Sequence, residues 1–546
     1  MNKSNFIITQ TEVFHAVKQL KNGKNDGNNI LSTEFFHNAP SELLVHLSLL
    51  FIVIVAHGVI PSDMCVTTIV PIPKSGGNFS ESANYRAIAL SSILGKILDY
   101  IFLDRLQEYL FTSDLQFGFK SKHSTSMCTF VLKETVAYYT SHNTSVYCCF
   151  LDASKAFDRI CHVKLFKKLL DRNIPAVIIR FLINVYLVQT ANVRWGGVLS
   201  DAFAVSNGVK QGGISSPILF CVYVDGLLRR LKEAKLGCHI GREYVGALAY
   251  ADDFTLLAPT ADAMRNMLLI CSEYAAEHNI TYNAKKSKMV LFGPNQNAQT
   301  HGRPQFFIDT QVIEYVNSYT HLGNVLVDTQ SDADCIEFRR KQFIGQLNTV
   351  LSTFRQQERS VQIKLLHTFC FSFYGSVLWD LESPQIKHIR SAWHAAIKRV
   401  WVLPYNCHSY IASALGDSLP LHDELSRRVL KFHFTCLDSY NPVVKFVCKH
   451  ALYGGRAQSP HGRNIINLCT RYSWSIERCH DSEQMHFLSS RIEQSSINRL
   501  SESEQRCLYM ICELLLVKFN LYEFSPPMDC FSNEDVDCFI HELCVN

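Results

Sequence analysis

Three carboxylates carry the first chemical signal in this chain. Asp252 and Asp253 stand side by side in Ala249-Tyr250-Ala251-Asp252-Asp253-Phe254, between the apolar runs 245–249 and 254–258. Apolar segments on both sides of a short polar centre predict a β-hairpin with the two aspartates at or near its turn. Asp152 ends another apolar run, 144–151, which reads as a buried strand. Gathering bare carboxylates costs free energy, because each loses water and repels the others. Taken singly, each has an ordinary explanation: Asp is a good turn former, and Asp152 could cap a following helix. Taken together, Asp152 on one strand and Asp252 with Asp253 on a neighbouring hairpin fit a site around two Mg²⁺ ions. Such a pair activates an attacking oxygen and stabilises a leaving one in phosphoryl transfer. Mg²⁺ favours carboxylates completed by waters and substrate phosphates, which suits a site with few protein ligands.

Other elements must place a substrate against these carboxylates. Asn207 to Pro217 is a glycine-rich loop opening a helix, with Ser216 as the expected N-cap and Pro217 as the first helical residue. Its glycines, Gly212 among them, allow close approach of a ligand or another backbone, and Gln211 offers polar contacts. The β-rich run 67–77 leaves Lys74 at a strand end or loop, and a second extended segment, 85–90, carries Arg86. These cations are ordinary solvated charges unless an anion lies near; beside the carboxylates they would neutralise a triphosphate. Asp158 reads as a local capping or pairing residue. Residues 92–110 and 261–278 read as helices, and 289–292 as a short strand after the basic patch 285–288. Tyr319 to Asn324 forms a compact turn region. Beyond about residue 335 the pattern is helical. In 386–403, Ile386, Ile389, Trp393, Ile397 and Val400 form an apolar stripe, with Lys387, Arg390, His394 and Lys398 on another face. That charged face is either solvated or a phosphate-backbone contact.

Composition narrows the class. A chain of 546 residues with 47% hydrophobic and 19% charged residues is globular rather than disordered, and long enough for more than one domain. A net charge of +4 permits a nucleic-acid partner without arguing for one. Twenty cysteines without a secretory signal read as reduced thiols of an intracellular protein, nuclear and/or cytoplasmic. The apolar run 43–55 is shorter than the roughly 20 residues of a membrane span and contains His46, so a buried helix is expected.

The ordered motifs resemble a reverse transcriptase of the non-LTR (LINE-type) retrotransposon family. They are Ile72-Pro73-Lys74, Tyr85-Arg86-Ala87-Ile88, Gln116-Phe117-Gly118-Phe119, Phe150 to Asp158, Gln211 to Pro217, Tyr250 to Asp253, Asn283 to Lys288 and His321-Leu322-Gly323. The resemblance covers roughly residues 10 to 330, and more weakly reaches about 445 through Tyr374-Gly375-Ser376 and Ser439-Tyr440-Asn441. It implies an α+β right-hand polymerase of fingers, palm with an antiparallel sheet, and helical thumb. The implied divisions are a helical extension (1–60), fingers (61–145), palm (146–310), primer grip and thumb (311–445) and a helical C-terminal region (446–546). It also implies roles. Asp152, Asp252 and, less strictly, Asp253 bind two Mg²⁺ ions, with Mn²⁺ as an alternative. Lys74 and Arg86 meet the incoming triphosphate, and Phe157 is a steric gate against the ribose 2′-hydroxyl. Gln211 and Gly212 line the nucleotide and template site. Lys286 donates a proton to pyrophosphate, and Leu322 and Gly323 form the primer grip.

The implied activity is RNA-directed DNA synthesis within a retrotransposon, with RNA template, DNA primer or target and dNTPs as partners and no membrane. Alternatives are a catalytically inactive nucleic-acid-binding remnant and an RNA-directed RNA polymerase, against which Phe157 argues. The sequence departs from the pattern in three places. The loop from Gly23 to Asn29 lacks the usual Pro-Asp-Gly, Ala87 replaces a common proline, and His321 replaces a common aromatic. Family members usually carry an endonuclease, often upstream, for which the residues before 10 leave no room, so a polymerase fragment or degenerate copy is expected. Cys469, Cys479, Cys507 and Cys512 lack zinc-knuckle spacing.

Overall fold

The computed structural model describes residues 7–27, 30–74, 79–293, 303–407, 412, 415–416, 418–452 and 459–498. Asn28, Asn29, Ser75 to Gly77, Cys507 and Cys512 of the motifs above lie outside them. Two five-stranded sheets hold most of the extended segments. The first contains β1 (Val66–Pro73), β2 (Tyr85–Leu90), β4 (Thr190–Trp195), β5 (Val198–Leu199) and β6 (Phe203–Ala204). In it β1 runs antiparallel to β2 and parallel to β4, while β5 and β6 both pair with β4.

The second sheet has the order β14-β11-β3-β10-β9. Its members are β3 (Val146–Asp152), β9 (Ala247–Tyr250), β10 (Asp253–Ala258), β11 (Lys288–Phe292) and β14 (Glu314–Tyr315). Central β3 lies between β10 and β11, antiparallel to both. Its continuous apolar run follows from that place: Cys148, Cys149, Phe150 and Leu151 are all buried, because a central strand covered on both faces has no wet side for alternating polar residues. The helices Thr125–Ser141, Ser216–Glu233 and Ala261–His278 pack against this sheet. The last matches its expected bounds, opening where the Thr260 side chain accepts from the Ala263 N–H and closing at left-handed Asn279. Three hairpins complete the strands: β7 (His239–Ile240) with β8 (Glu243–Tyr244), β12 (Phe307–Ile308) with β13 (Gln311–Val312), and β15 (Ser318–His321) with β16 (Asn324–Val327). From Ala333 onward the described chain is helical apart from turns and short 3-10 segments.

Three local expectations shift. Residues 43–55 do lie in a helix, Ser41–His57, but only one side is buried, through Leu44, Leu47, Phe51, Ile54 and Val55. Val45, Leu49 and Val53 stay 42–56% exposed, since the helix is packed by Gln10–Lys18 and Ala176–Val188 and left open elsewhere. The helix after the glycine-rich loop begins at Ser216, with Ser215 as N-cap and Pro217 one place further in. The Ser215 hydroxyl is used on Asp99 at 3.2 Å instead of capping. The charged stripe on Gln385–Trp401 is split: Lys387 and Arg390 are exposed, while Lys398 Nζ donates to the carbonyl of Tyr405 at 3.0 Å and also to that of Cys407.

Candidate active site

The pairing register assembles the carboxylates. Asp253, the first residue of β10, pairs with Asp152, the last residue of β3, and also with Tyr250 across the hairpin. The turn between Tyr250 and Asp253 is therefore Ala251-Asp252, which places all three aspartates at one end of the sheet. Directly opposed strand residues have Cβ atoms about 5 Å apart. Burial pushes the Asp253 carboxyl up to about 6, with the Asp252 and Asp152 charges adding to it. Asp252 is raised for the same leading reason, with Asp152 contributing, against a backbone hydrogen bond that lowers it. Among the described residues no ion pair neutralises any of the three. Crowded oxygen donors without a protein cation, with Asp252 and Asp253 resisting ionisation, fit a hard divalent ion.

Neighbouring loops hold these groups in place. The Asp152 N–H donates to Ser287 Oγ at 3.1 Å, and its carbonyl accepts from the Asn283 N–H at 2.8 Å. That fastens the 283–287 turn, with exposed Lys286, beside the end of β3. Phe157 follows β3 in the 3-10 turn Ala156–Arg159, stacked on Phe220 at 4.7 Å between ring centres. Gln211 Nε2 donates to Asp158 at 3.1 Å, so Asp158 pairs across 53 residues with the glycine-rich loop rather than locally as expected. The Gln211 carbonyl accepts from the Ala89 N–H of β2 at 2.7 Å, joining the two sheets at the glycine-rich loop. Gly212 has φ +107°, and a Cβ there would meet the Ala89 carbonyl at 3.0 Å.

Lys74 and Arg86 are carried at the far end of the β1–β2 pair, where Pro73 faces Tyr85 and Ile72 faces Arg86. Arg86 is exposed, three residues along β2 from Ala89, about 10 Å at strand rise. The cations thus share a sheet with the Gln211 contact rather than touching the carboxylates. Leu322 and Gly323 form the β15–β16 turn with φ +46° and +76°. The Leu322 carbonyl accepts from the Tyr374 hydroxyl at 3.0 Å. Tyr319 stacks on Phe150 at 4.4 Å and buried His321 tilts over the same ring at 5.0 Å, which docks this hairpin on the carboxylate-bearing strands.

One positioning residue had no role in the sequence reading. Gln116, 1% exposed, accepts through Oε1 from the N–H groups of Ala251 and Gly118, both at 2.8 Å, and its Nε2 donates to the Ala251 carbonyl at 3.3 Å. Ala251 sits at φ +58°, a left-handed conformation that costs a non-glycine residue roughly 1–2 kcal/mol. The Gln116 amide therefore fixes a strained residue next to Asp252. Backbone bonds from Phe117 to Ala249 and from Ala249 to Leu115, both 2.8 Å, lock the same loop to β9. The loop is itself held by buried Asp225, which accepts from the Ser113 N–H at 2.6 Å, and by Asn441, whose Nδ2 donates to the Asp114 carbonyl at 2.7 Å. The signal was present in Gln116-Phe117-Gly118-Phe119, but its target lies 135 residues away.

Residues 72–334 match the family described as reverse transcriptase (RNA-dependent DNA polymerase). This chain carries a reverse transcriptase domain. Every site residue from Lys74 to Gly323 falls within it. The RNA-directed DNA polymerase from mobile element jockey of Drosophila funebris is 27% identical over 340 residues, covering 58% of this chain and 35% of that protein. The probable RNA-directed DNA polymerase from transposon X-element of Drosophila melanogaster is 26% identical over 329 residues, with the same coverages. The Pol polyprotein of the type-2 retrotransposable element R2DM from that species is 28% identical over 229 residues, covering 42% of this chain and 22% of its own. The chain thus spans about a third of the length of the first two relatives. The reverse transcriptase domain has the right-hand polymerase fold, α+β, with β3 and β10 presenting its carboxylates. The family generally uses divalent metal ions. No helix of the described residues is long and apolar enough to cross a membrane.

Proposed function

We propose that this chain is an intracellular RNA-directed DNA polymerase of a retrotransposon, adding dNTPs to a primer 3′-hydroxyl on an RNA template. The observation that carries this reading is the β3–β10 register, which sets Asp152 against Asp253 with Asp252 in the adjoining turn. In the reaction the 3′-oxygen attacks the α-phosphate and pyrophosphate leaves. Two Mg²⁺ ions bound by Asp152, Asp252 and Asp253 would lower the attacking hydroxyl's pKa and stabilise the leaving oxygen. Lys74 and Arg86 hold the triphosphate, Gln211 and Gly212 bound the nucleotide, exposed Lys286 protonates the leaving pyrophosphate, and the Leu322-Gly323 turn supports the primer. Residues 61–145 serve as fingers, 146–310 as palm and 311–445 as primer grip and thumb. Primer extension on homopolymeric RNA tests the reading. Divalent-dependent dNTP incorporation is expected, and RNA binding without extension would overturn it in favour of an inactive remnant.

The stacked Phe157 ring closes the space beside the nucleotide sugar in this reading. Phe157→Ala should raise rNTP incorporation relative to dNTP by at least about tenfold, within the range of one contact's discrimination. An unchanged ratio would remove Phe157 from that role. Metal affinity should also depend on pH. Asp253 has a folded value of about 6 against an ordinary carboxyl near 4, so the metal-free fold gains stability from protonation below about pH 4. That gain is lost as pH rises through about 6, where the ionised form that binds a cation takes over. The thermal stabilisation given by Mg²⁺ should therefore be larger at about pH 7.5 than at about pH 5.5. Equal stabilisation at both would contradict the site.

A further inference from the structure

Outside the carboxylate site, three buried side chains from three helices converge on one point. His433 belongs to Leu421–Leu437, Cys448 to Pro442–Ala451 and His461 to Pro460–Arg471, and all three are at most 5% exposed. Their donor atoms lie within 4.8 Å of one another. His433 Nδ1 is 3.1 Å from His461 Nε2 and 3.4 Å from Cys448 Sγ. Around a tetrahedral zinc, with Zn–N near 2.05 Å and Zn–S near 2.3 Å, the corresponding edges are about 3.4 Å and about 3.6 Å. The two edges that meet at His433 Nδ1 already stand close to that spacing.

The surroundings fix the donor state of His433. His433 Nε2 lies 2.8 Å from the Cys479 carbonyl, so that nitrogen carries the proton and Nδ1 turns its lone pair to the other two groups. Without a metal, the His461 N–H and the Cys448 thiol face that single lone pair, the thiol having the His433 carbonyl at 3.7 Å as its alternative. Phe130, 4.9 Å from His461 between ring centres, and Phe432 make the enclosure apolar. Cys436, also fully buried, hydrogen-bonds Cys448 and supplies a further thiol.

We infer that His433, Cys448 and His461 form a structural zinc site clipping these three helices together, with Cys436 or a water in the fourth position. Imidazole and thiolate donors select zinc, whereas the all-oxygen carboxylate set selects Mg²⁺. The test is the metal content of the full chain after zinc loading and desalting, together with the optical spectrum of the cobalt-substituted protein. About one zinc per chain is expected, with a near-ultraviolet thiolate-to-cobalt band. Zinc should fall at least fivefold in Cys448→Ser/His461→Asn and persist in Asp252→Asn and Cys469→Ser. Should the double variant fail to fold, the wild-type cobalt spectrum decides alone. A zinc-free wild type, a missing cobalt–thiolate band, or undiminished zinc in a folded double variant would each overturn the site.

Discussion

Asp252→Asn should abolish divalent-dependent nucleotide incorporation while leaving the fold intact. The change keeps the side chain's shape, removes one negative charge and leaves a weaker metal donor in the turn between Tyr250 and Asp253. A loss of at least about a thousandfold in rate, roughly 4 kcal/mol of transition-state stabilisation, is expected when a group facing developing charge is lost. The metal-free chain should melt no lower than wild type, because burial and Asp152 already disfavour the Asp252 charge. Primer extension and thermal melting together check both halves. Undiminished extension would refute the assignment of the carboxylate site, and a collapsed melt would show that Asp252 holds the fold instead.

The second large effect is expected at a residue with no reactive group. A Cβ added at Gly118 would lie 2.4 Å from the Ala251 backbone nitrogen and 3.1 Å from Gln116 Oε1. The first is a backbone atom in a hydrogen-bonded turn and cannot step aside, so Gly118→Ala must move the turn that carries Asp252. Displacements of about 1 Å at a reacting centre can cost about a hundredfold in rate. We expect that loss in kcat, a raised Mg²⁺ requirement and only a modest drop in Tm. Gln116→Ala should act in the same direction by leaving the buried Ala251 N–H without its partner, a cost of about 1–3 kcal/mol. Wild-type kcat in Gly118→Ala would show that the turn tolerates displacement.

The carboxylate-bearing strands were legible because burial wrote itself into the sequence. The run ending at Asp152 and the two runs flanking Asp252-Asp253 are apolar since β3 and β10 lie inside the sheet and the edge strand β9 is covered by helices and by the loop at Leu115 to Phe117, and the aspartates are left at the strand ends. Helix Ala261–His278 was equally plain, with a threonine cap at one end and Asn279 at the other. What was hidden depends on distant partners. Hydropathy of the 43–55 run cannot say that only one side will find neighbours. Ser215 rather than Ser216 precedes the helix, and its hydroxyl is drawn off to Asp99, far away in the chain. Gln116 belongs to a named motif but has no role until the fold delivers Ala251 to it. His433, Cys448 and His461 have no metal-motif spacing, because their proximity comes from helix packing rather than a local loop.

The contact between Asn441 and Asp114 has a consequence for modularity. The loop that fixes Ala251 is fastened from a residue well beyond 334, where the family match ends. Lys122, further along that loop, lies over the Tyr440 ring at 4.4 Å, and His123 touches the Asn441 amide at 3.3 Å. The recognisable segment therefore contains the reactive groups but not all of their alignment. Grafted alone into another chain, it would transfer the chemistry without its accuracy. Divergence of the helices around Asn441 is limited by the need to deliver that amide to the Asp114 carbonyl.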